Sequence, residues 1–457
     1  MNTSETASIA AHSGPVTADG VETRLCDVLV IGGGPAGTTA ATLLAERGHR
    51  VTVLDKDRHP RFHIGESLLP ANLPLFERLG VAEQMRAIGI RKYAAEFVSP
   101  HHDNTQAFHF AEAWDKSMPY AYQVRRSEFD EILLRNAAHK GAEVIEGCRV
   151  REVEFDADGA RIAAEHDDGR RSAWRAQFVI DASGRDTFLA NRLRAKHRNP
   201  NHNSSALYGH FANAQRHCGP AEGNISIYWF EHGWFWFIPL ADGATSVGAV
   251  TWPYYMKQRN GRSLEAFLRD TIALCPALAE RLRDAALVSE VHATGNFSYT
   301  TDHTHGERYI LLGDAYAFID PVFSSGVMLA MQGAFFGADA VDTWLRDPAR
   351  RTAALKRFDR GMRHGPREFS WFIYRMTSPT MRDLFMGPRN PLRVKNALIS
   401  LLAGDIYGKT PIWFSLGVFK LIYYASALRN WRRTREALRR RRENIRPVED
   451  GDMAAKA

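Results

Sequence analysis

The apolar segments in the first part of the chain have the lengths and spacing of a mixed α/β domain. An apolar run at residues 27–31 ends in glycines, a helical stretch follows, and a second apolar run spans residues 50–54. Apolar residues then recur at helical spacing over residues 127–139, and residues 142–145 resume a strand pattern. This pattern predicts a β-α-β unit that is continued by a further helix and strand.

The pattern changes twice further along the chain. Residues 150–180 contain short strand-like segments that are separated by turn sequences at 156–159 and 167–170. We therefore expect a β-meander inserted in the α/β domain. Aromatic, strand-like segments continue through residues 200–300, and the chain after residue 330 is mainly helical. These features predict a second sheet followed by a helical C-terminal region.

Composition limits the class of protein. With 457 residues, of which 45% are hydrophobic, the chain can bury the cores of two or three structural regions. The four cysteines lie far apart without a C-x-x-C pair, which argues against a disulfide framework and a zinc site and favours the reducing cytoplasm. Residues 1–24 are polar and lack the basic start and apolar block of a signal peptide, so we predict a disordered leader.

The positive charge is confined to the C-terminus. The formal net charge is +7, and residues 429–446, with nine arginines and two glutamates, account for all of it. A general nucleic-acid-binding surface is therefore not expected. The apolar segment before the arginines, residues 411–428, is interrupted by Pro411, Gly417 and Lys420, which argues against a membrane-spanning helix. Three interpretations stay open: a packed helix with a solvated basic tail, peripheral contact with an anionic membrane, or docking of an acidic carrier protein.

A glycine-rich motif follows the first predicted strand. Gly32, Gly34 and Gly37 supply G-x-G-x-x-G, with Ala36 inside the motif, at the start of the predicted helix. Gly32 allows the tight turn, Gly34 lets the backbone approach a pyrophosphate, and Gly37 lets the helix pack on the strand. Asp55 ends the second strand, where its carboxylate can accept hydrogen bonds from an adenosine ribose. The motif predicts a dinucleotide site. The sequence has no second G-x-G-x-x-G motif, so a separate nicotinamide-binding domain is not expected.

Two further segments narrow the choice of dinucleotide. Asp181 and the pair Gly313-Asp314 each follow an apolar run that ends in a turn of small residues. In this order the segments resemble the flavoprotein-monooxygenase superfamily, in which the Gly-Asp pair meets the ribityl chain and pyrophosphate of FAD. Arg126 falls at the position of that superfamily's FAD-contacting arginine, although a surface charge at a helix end is the alternative. The resemblance implies a Rossmann-type FAD-binding domain of the α/β class.

Four segments resemble the flavin-dependent halogenases in particular. Residues 62–70, with the sequence Phe-His-Ile-Gly-Glu-Ser-Leu-Leu-Pro, are similar to a loop of these enzymes. Lys92 falls where they carry a catalytic lysine, most like the subgroup that acts on pyrrole or phenol rings, although Ala94 stands where a glycine is expected. Residues 234–239 fit a W-x-W-x-I-P signature, and residues 320–327 fit the flavin- and halide-side loop.

The resemblance implies a role for each segment. A flavin hydroperoxide oxidises halide to hypohalous acid, and Lys92 holds this acid by a hydrogen bond or as a haloamine, so that one ring carbon is attacked. Burial would favour the neutral, nucleophilic amine, whereas an ordinary exposed lysine is the alternative. Glu66 is a candidate for handling protons. The candidates for the halide and substrate tunnel are Trp234, Trp236, Ile238, Pro239, Pro321, Ser324 and Ser325, and the flavin-side candidates of the last loop are Gly326 and Val327.

Simpler structural roles remain alternatives for two of these segments. Strand alternation places Trp234 and Trp236 on one face and Phe235 and Phe237 on the other, so core packing alone could explain the aromatic residues. Serines before a helix could serve only as caps.

The resemblance covers about residues 26–341 and leads to one predicted activity. We expect halogenation of an electron-rich aromatic ring, either free or on an acyl or peptidyl carrier protein, with FADH2, O2 and chloride or bromide. A separate flavin reductase would supply the FADH2. An aromatic-ring hydroxylase, a prenyl-chain reductase and a flavin-binding scaffold without turnover are the alternatives.

The expected division of the chain follows from these assignments. The FAD-binding domain takes residues 25–200 and 301–340, the substrate-side sheet takes 201–300, the helical region 341–428, and the basic tail 429–457.

Overall fold

The computed structural model describes residues 22–200, 202–295 and 298–445. The predicted leader lies outside this part of the chain except for its last three residues. In chain order, the strands are β1 Thr23–Ile31, β2 Val51–Asp55, β3 Ile90–Lys92, β4 Ala94–Val98, β5 Thr105–His109, β6 Ala121–Gln123, β7 Glu143–Glu146, β8 Cys148–Asp156, β9 Gly159–His166, β10 Arg171–Asp181, β11 Lys196–Arg198, β12 Ser205–Ala212, β13 Ile225–Phe230, β14 Gly233–Pro239, β15 Thr245–Thr251, β16 Ala286–Leu287, β17 His292–Gly295, β18 Tyr299–Thr301, β19 Tyr309–Leu311 and β20 Ala317–Phe318. The α-helices are α1 Pro35–Glu46, α2 Leu73–Leu79, α3 Ala82–Ile88, α4 Arg126–His139, α5 Phe188–Arg192, α6 Pro253–Lys257, α7 Leu264–Ala273, α8 Pro276–Arg281, α9 Gly326–Arg346, α10 Arg351–Ile373, α11 Pro379–Met386, α12 Val394–Leu402, α13 Ile412–Arg429 and α14 Trp431–Asn444.

The first sheet has the parallel core that the β-α-β pattern predicts. Its strands follow the order β7-β2-β1-β10-β9-β8, and β19 also pairs with β10. Strand β1 is parallel to both β2 and β10, and its apolar residues Val28, Leu29 and Val30 are fully buried. Helix α1 packs against α4 and α9. Because the parallel strands run in one direction, their C-terminal ends and the loops that follow lie at one edge of the sheet.

Strand β10 joins the predicted meander to this parallel core. Its first part, from Arg171 to Ala176, pairs antiparallel with β9, whereas residues 179–181 pair parallel with β19. The turns predicted at 156–159 and 167–170 are confirmed, because β8, β9 and β10 follow one another as antiparallel strands across them. The meander is therefore an extension of the first sheet and shares one long strand with it.

The second sheet has the order β16-β12-β15-β14-β13-β4-β5, with β17 beside β12. All seven residues of β14 are buried, and the two faces of this strand pack into different hydrophobic clusters. Trp234 and Trp236 face the helical C-terminal region, whereas Phe235 and Phe237 face α6, α7 and α8. The prediction that β14 is buried on both sides is confirmed. The strand pattern did not indicate these three helices within residues 200–300.

The C-terminal region is helical, as the sequence predicts. Helix α9 packs against α1 and α10, and α13 packs against α11 and α12. The arginine-rich segment forms a helix, α14, rather than an irregular tail. Within the residues that the structure describes, no helix is both long and apolar enough to cross a membrane.

Candidate active site

A cavity of about 610 Å³ lies between the two sheets and the C-terminal helices. The glycine turn after β1 and the end of β2 line one part of it, and strands β12 and β14 line another. The loop before α9 and residues of α10 complete the wall. Most of the site residues predicted from the sequence motifs therefore meet in one space.

The glycine turn is closed by backbone contacts that only glycine permits. Gly32 has a φ of +103°, and a Cβ on this residue would lie 2.4 Å from the carbonyl oxygen of Ala182. A Cβ on Gly37 would lie 2.0 Å from the carbonyl oxygen of Gly32. Gly37 itself does not line the cavity, so its contribution is the close packing of α1 on the turn.

Gly34 and Ala36 face the cavity at the N-terminus of α1. A Cβ on Gly34 would meet no atom nearer than Nη2 of Arg61, at 3.7 Å, so the space beside this backbone is open. The free N–H groups of the first helical turn favour a phosphate at this place. The turn therefore fits the pyrophosphate of a dinucleotide.

Asp55 holds the same turn from the end of β2. Its buried carboxylate accepts hydrogen bonds from the backbone N–H of Gly33 at 2.7 Å and of Asp57 at 2.9 Å. The residue also lines the cavity, and each carboxylate oxygen can accept a further hydrogen bond. Asp55 thus lies where a ribose hydroxyl could reach it.

Asp314 presents an acceptor to the middle of the cavity. It follows Gly313, whose φ is +56°, and its carboxylate makes no hydrogen bond to a described residue. Burial raises the pKa of this carboxyl to about 6, although the charges of Arg126 and Arg185 act to lower it. A hydroxyl-bearing ligand such as a ribityl chain would supply the missing hydrogen bond.

Arg126 is buried at the first residue of α4, so the surface-charge alternative is wrong. Its Nε and Nη2 donate to the two carboxylate oxygens of Asp130 at 2.8 and 3.0 Å, and Nη1 donates to the carbonyl oxygen of Ile64 at 3.0 Å. Burial acts to raise the pKa of Asp130, but the charge and hydrogen bonds of Arg126 more than offset it, and the pKa is lowered. The pair fixes the guanidinium on the cavity wall.

Asp181 does not line the cavity, in contrast to its predicted position at the cofactor. Its buried carboxylate accepts hydrogen bonds from the backbone N–H of Ser183 at 3.0 Å and of Leu189 at 2.7 Å. Burial raises the pKa of this carboxyl. Asp181 therefore stabilises the turn after β10, and the neighbouring Arg185 reaches the cavity instead.

Glu66 lines the cavity and is paired with a histidine from the second sheet. Nε2 of His210 lies 2.9 Å from Oε1 and 3.1 Å from Oε2 of Glu66, and both side chains are buried. His210 belongs to β12, whereas Glu66 belongs to the loop before α2. The pair therefore connects this loop to the second sheet beside the cavity.

Lys92 is fully buried, with 1% of its side chain exposed, which excludes the alternative of an ordinary surface lysine. Its Nζ donates to Oγ of Ser67 at 3.0 Å and to the carbonyl oxygen of Leu68 at 2.5 Å. Burial lowers the pKa of Lys92 to about 7. Lys92 itself does not line the cavity, but Ser67 does, so the amine lies directly behind the wall.

Trp234, Trp236 and Ile238 form an aromatic and aliphatic wall of the cavity, whereas Pro239 does not reach it. The two indole rings have their centroids 6.1 Å apart, and Nε1 of Trp236 donates to Oγ of Ser246 at 3.1 Å. Gly248 on the adjacent strand leaves room for the second ring, because a Cβ there would lie 2.3 Å from the indole. The tryptophans are held rigidly in place.

The loop before α9 lines the opposite part of the cavity through Pro321, Ser324, Ser325, Gly326 and Val327. Ser324 has a φ of +55°, and Ser325 precedes the first turn of α9 without a side-chain capping hydrogen bond. A Cβ on Gly326 would meet no atom within 4 Å. The capping alternative for Ser325 is therefore not observed, and the N–H groups of this helix end are open to a ligand.

Asp320 lines the cavity as well and anchors this loop. One carboxylate oxygen accepts from the backbone N–H of Val322 at 3.1 Å, and the other lies 2.8 Å from Nε2 of His202. Nδ1 of His202 lies 3.4 Å from Nη2 of Arg441 on α14. A chain of polar contacts thus connects the C-terminal helix with the loop at the cavity.

Comparison with known proteins agrees with this geometry. Residues 25–355 match the family model described as FAD binding domain. The chain is 34% identical over 345 residues to flavin-dependent halogenase armH3 of Armillaria mellea, which covers 70% of this chain and 68% of that protein. The chain belongs to the flavin-dependent halogenases.

Two further relatives of this halogenase extend the comparison. The 1H-pyrrole-2-carbonyl-[peptidyl-carrier protein] chlorinase of Pseudomonas fluorescens is 29% identical, over 83% of this chain and 89% of that protein. The structure of the myxobacterial chondrochloren halogenase CndH is 34% identical, with a TM-score of 0.74 over 85% of this chain and 92% of that chain. The predicted fold class, with its FAD-binding sheet, second sheet and helical C-terminus, is confirmed.

The cofactor of the halogenase is FAD, and the cavity has the groups to hold it. The open backbone at Gly34 fits the pyrophosphate, Asp55 fits the adenosine ribose, and Asp314 fits the ribityl chain. The N-terminus of α9 at Gly326 offers N–H donors to the far end of the flavin or to a halide.

Several site residues of the halogenase were not predicted from its sequence. His210 and His202 lie in or next to β12, and each pairs with a carboxylate more than a hundred residues away along the chain. Phe62 borders the cavity and stacks on His292, with ring centroids 4.8 Å apart. No local pattern marks such partners. Two signals were available: the halogenase-like segment 62–70 begins with Phe62, and the turn sequence after β10 could have indicated Arg185.

Proposed function

We propose that this halogenase places chloride or bromide on an electron-rich aromatic ring, a phenol or a pyrrole, and that Lys92 directs the halogen. The observation that supports this most is the buried amine of Lys92, which is held at Ser67 directly behind the cavity wall. Burial of a lysine without water or a carboxylate partner lowers the stability of the folded protein. A catalytic role would explain why a lysine is found at this position.

FADH2, supplied by a separate flavin reductase, provides with O2 the oxidising equivalent that converts halide to hypohalous acid. Hypohalous acid is small and diffusible, so selective halogenation depends on a side chain that captures it. Ser67 and Lys92 would capture the hypohalous acid, because Ser67 lines the cavity and Lys92 donates a hydrogen bond to Ser67.

The lowered pKa of Lys92 favours a haloamine route, in which the amine first takes the halogen and then transfers it to the ring. With a pKa of about 7, a large share of the amine is neutral near neutral pH. The neutral nitrogen attacks the halogen, an N–halogen bond forms, the O–halogen bond breaks, and the hydroxide leaves as water with a proton from the amine. The ring then takes the halogen from nitrogen and loses one proton, and the amine is regenerated.

In the proposed reaction, Glu66 accepts that ring proton. Its carboxylate lines the cavity, and His210 fixes its orientation through contacts at 2.9 and 3.1 Å. Since Lys92 donates to Ser67, and both Ser67 and Glu66 line the cavity, the halogen donor and the proton acceptor would serve the same cavity. The roles of Glu66 and His210 are thus those of a proton-handling residue and a positioning residue.

Trp234, Trp236 and Ile238 would keep the substrate ring away from the flavin. Their side chains form a rigid wall in which Trp236 is fixed by Ser246. A halide or hypohalous acid is much smaller than an aromatic ring, so only the small species would pass. The relative from Pseudomonas fluorescens acts on a pyrrole on a peptidyl carrier protein, and a tethered ring is therefore one substrate form to be tested.

Mass spectrometry of reaction products tests the proposed activity. Purified protein receives FAD, a flavin reductase, NADH and bromide, together with free and carrier-tethered phenols and pyrroles. A product with the bromine isotope pattern that is absent without bromide is the expected result. A mass gain of one oxygen that does not depend on halide would instead identify a hydroxylase, and FAD binding without any product would indicate a scaffold.

A further inference from the structure

Helix α13 is apolar on the side that faces away from the protein. Its inner side packs Leu416, Phe419 and neighbouring residues into the core. The opposite side exposes Phe414 by 70%, Leu421 by 69% and Leu428 by 75%. These three residues are seven positions apart, so they form one stripe along the helix. A soluble helix normally carries polar residues on such a face, and an apolar stripe of this length marks a surface for contact.

Helix α14 continues the exposed surface and adds positive charge to it. Trp431, Arg435, Leu438 and Arg442 are exposed and are spaced by four, three and four residues, which places them on one face. The other face of α14 contacts the protein, because Arg433 pairs with Asp383 at 2.7 Å. We call the outward stripes of α13 and α14 together the C-terminal outer face.

Two arginines of this face lack an ion-pair partner in the part of the chain that the structure describes. Arg435 and Arg442 have no acidic partner within the described residues, in contrast to Arg433 and to Arg440, which pairs with Glu436. The formal charge of the rest of the chain is zero, so this end of the molecule is a localised positive patch. The patch requires a negatively charged partner, and the apolar stripe requires one with an apolar layer.

We propose that the C-terminal outer face binds the surface of an anionic lipid bilayer. Phosphate headgroups would neutralise the arginines, while the phenyl, leucyl and indole side chains enter the boundary between headgroups and acyl chains. Arginine can keep its guanidinium among the headgroups while its methylene chain lies against apolar surface, and tryptophan prefers the same boundary.

The helices suit a surface location rather than a span. Helix α13 has 18 residues, includes Gly417 and Lys420, and buries its inner side in the protein. It would therefore lie parallel to the membrane plane as an interfacial element. A bilayer also accepts exposed apolar side chains without a matching pocket, whereas a protein partner would need complementary anchor pockets. The proposal does not depend on which aromatic ring the enzyme halogenates.

Vesicle flotation with the full-length protein tests the proposal. One set of vesicles contains phosphatidylcholine alone, and the other contains equal parts of phosphatidylcholine and phosphatidylglycerol. Wild-type protein is expected to float with the anionic vesicles, to float poorly with the neutral ones, and to be released by salt.

Two variants address the two components of the surface. Arg435→Glu with Arg442→Glu reverses two charges, and Phe414→Ser with Leu421→Ser and Leu428→Ser removes the apolar stripe. Each should lower partitioning by about tenfold or more, given the contribution of each basic residue near an anionic surface and of each buried apolar side chain. The control, Arg357→Glu with Arg360→Glu, changes two exposed arginines on α10 and should bind like wild type.

FAD binding and the thermal transition show whether each variant is folded, and if the apolar variant fails to fold, the arginine variant decides. The proposal is overturned if wild type binds both vesicle types equally or neither, or if the arginine variant binds like wild type. It is also overturned if the face proves to be covered by a second copy, seen as a dimer that the apolar variant dissociates. Binding of an acidic carrier protein through the same residues, without flotation, would overturn it as well.

Discussion

The amine of Lys92 has lost its water and has two hydrogen-bond acceptors but no carboxylate in its place. Ser67 Oγ and the carbonyl oxygen of Leu68 accept its hydrogen bonds, and the ring of Phe110 lies 5.4 Å from Nζ. Neutral acceptors and a ring face stabilise an ammonium less than water or a carboxylate does. The same environment that activates the nitrogen therefore disfavours folding while the group is protonated.

The free energy of unfolding should therefore change with pH as Lys92 titrates. The pKa of Lys92 is about 7 in the folded state and 10.5 ordinarily, so between these pH values the unfolded chain binds a proton that the folded chain does not. This residue's contribution to the free energy of unfolding is least favourable below pH 7 and rises with pH up to 10.5, by about 5 kcal/mol at most.

Comparison with Lys92→Met isolates that contribution. The stability of wild type relative to the variant, measured by urea unfolding, should increase from about pH 6 to about pH 10, because only wild type has this titration. A difference that stays constant over this range would contradict the lowered pKa. The comparison uses the change with pH, so the loss of the two hydrogen bonds in the variant does not affect it.

At the scale of the elements, the glycines of the turn between β1 and α1 have two different roles: some are needed for folding, and one is needed for cofactor binding. Gly32 and Gly37 are required by backbone contacts, whereas Gly34 has free space toward the cavity. Gly34→Val should therefore leave the thermal transition of the FAD-free protein almost unchanged and weaken FAD binding by about a hundredfold, because the side chain occupies the phosphate position. Fluorescence titration with FAD measures this.

Gly417→Val is the matched control, since this exposed glycine also has open space and lies on α13. It should bind FAD like wild type. Equal FAD affinity of Gly34→Val and wild type would contradict the placement of the pyrophosphate.

The loop before α9 depends on the buried, hydrogen-bonded pair of Asp320 and His202, of which Asp320 lines the cavity. Asp320 caps the turn at Val322 and is itself held by His202. His202→Ala should raise the KM for bromide by roughly tenfold, the loss of about one charge-assisted hydrogen bond, and should change kcat much less. This split is expected of a positioning residue, because a general loss of folded protein would lower kcat and leave KM unchanged.

His197→Ala is a suitable comparison for this variant. His197 lies 2.8 Å from Asp302, so it forms a similar pair, but on the exposed surface. Its replacement should leave both kinetic constants close to those of wild type. If His202→Ala also had a normal KM for bromide, the pair would have no part in positioning the loop.

The elements also show what local sequence can predict. The β-α-β unit and the meander turns were predicted because they depend on residues close together in the chain. The double role of β10 was missed, since the change of partner from β9 to β19 follows from tertiary pairing. Helices α6 to α8 were missed as well, because α6 and α8 have only five and six residues, too few for a helical period to be recognised, and α7 lies between them.

On the scale of the whole molecule, the cavity assembles residues from many distant segments of the chain between two sheets. Most of the residues predicted from sequence motifs line this cavity, because each motif is recognisable in the sequence alone. It could not predict distances, which depend on how the sheets pack. Lys92 therefore proves to lie behind Ser67, Asp181 faces away from the cavity, and Glu66 has His210 as a partner.

A chain of contacts connects helix α14 with the loop at the cavity, and no sequence motif indicated it. Arg441 of α14 contacts His202, which holds Asp320 at the base of the cavity loop. The outer side of α14 carries the proposed membrane-binding residues, so the surface and the active site share one helix.

The most direct test of the account is product formation by Lys92→Ala, with Lys356→Ala, an exposed lysine on α10, as control. We predict that the variant binds FAD like wild type and still oxidises bromide, so that a soluble trap for hypobromous acid is brominated, while ring-brominated product falls by about a hundredfold or more. Normal amounts of the wild-type product from Lys92→Ala would contradict the central claim that this residue directs the halogen.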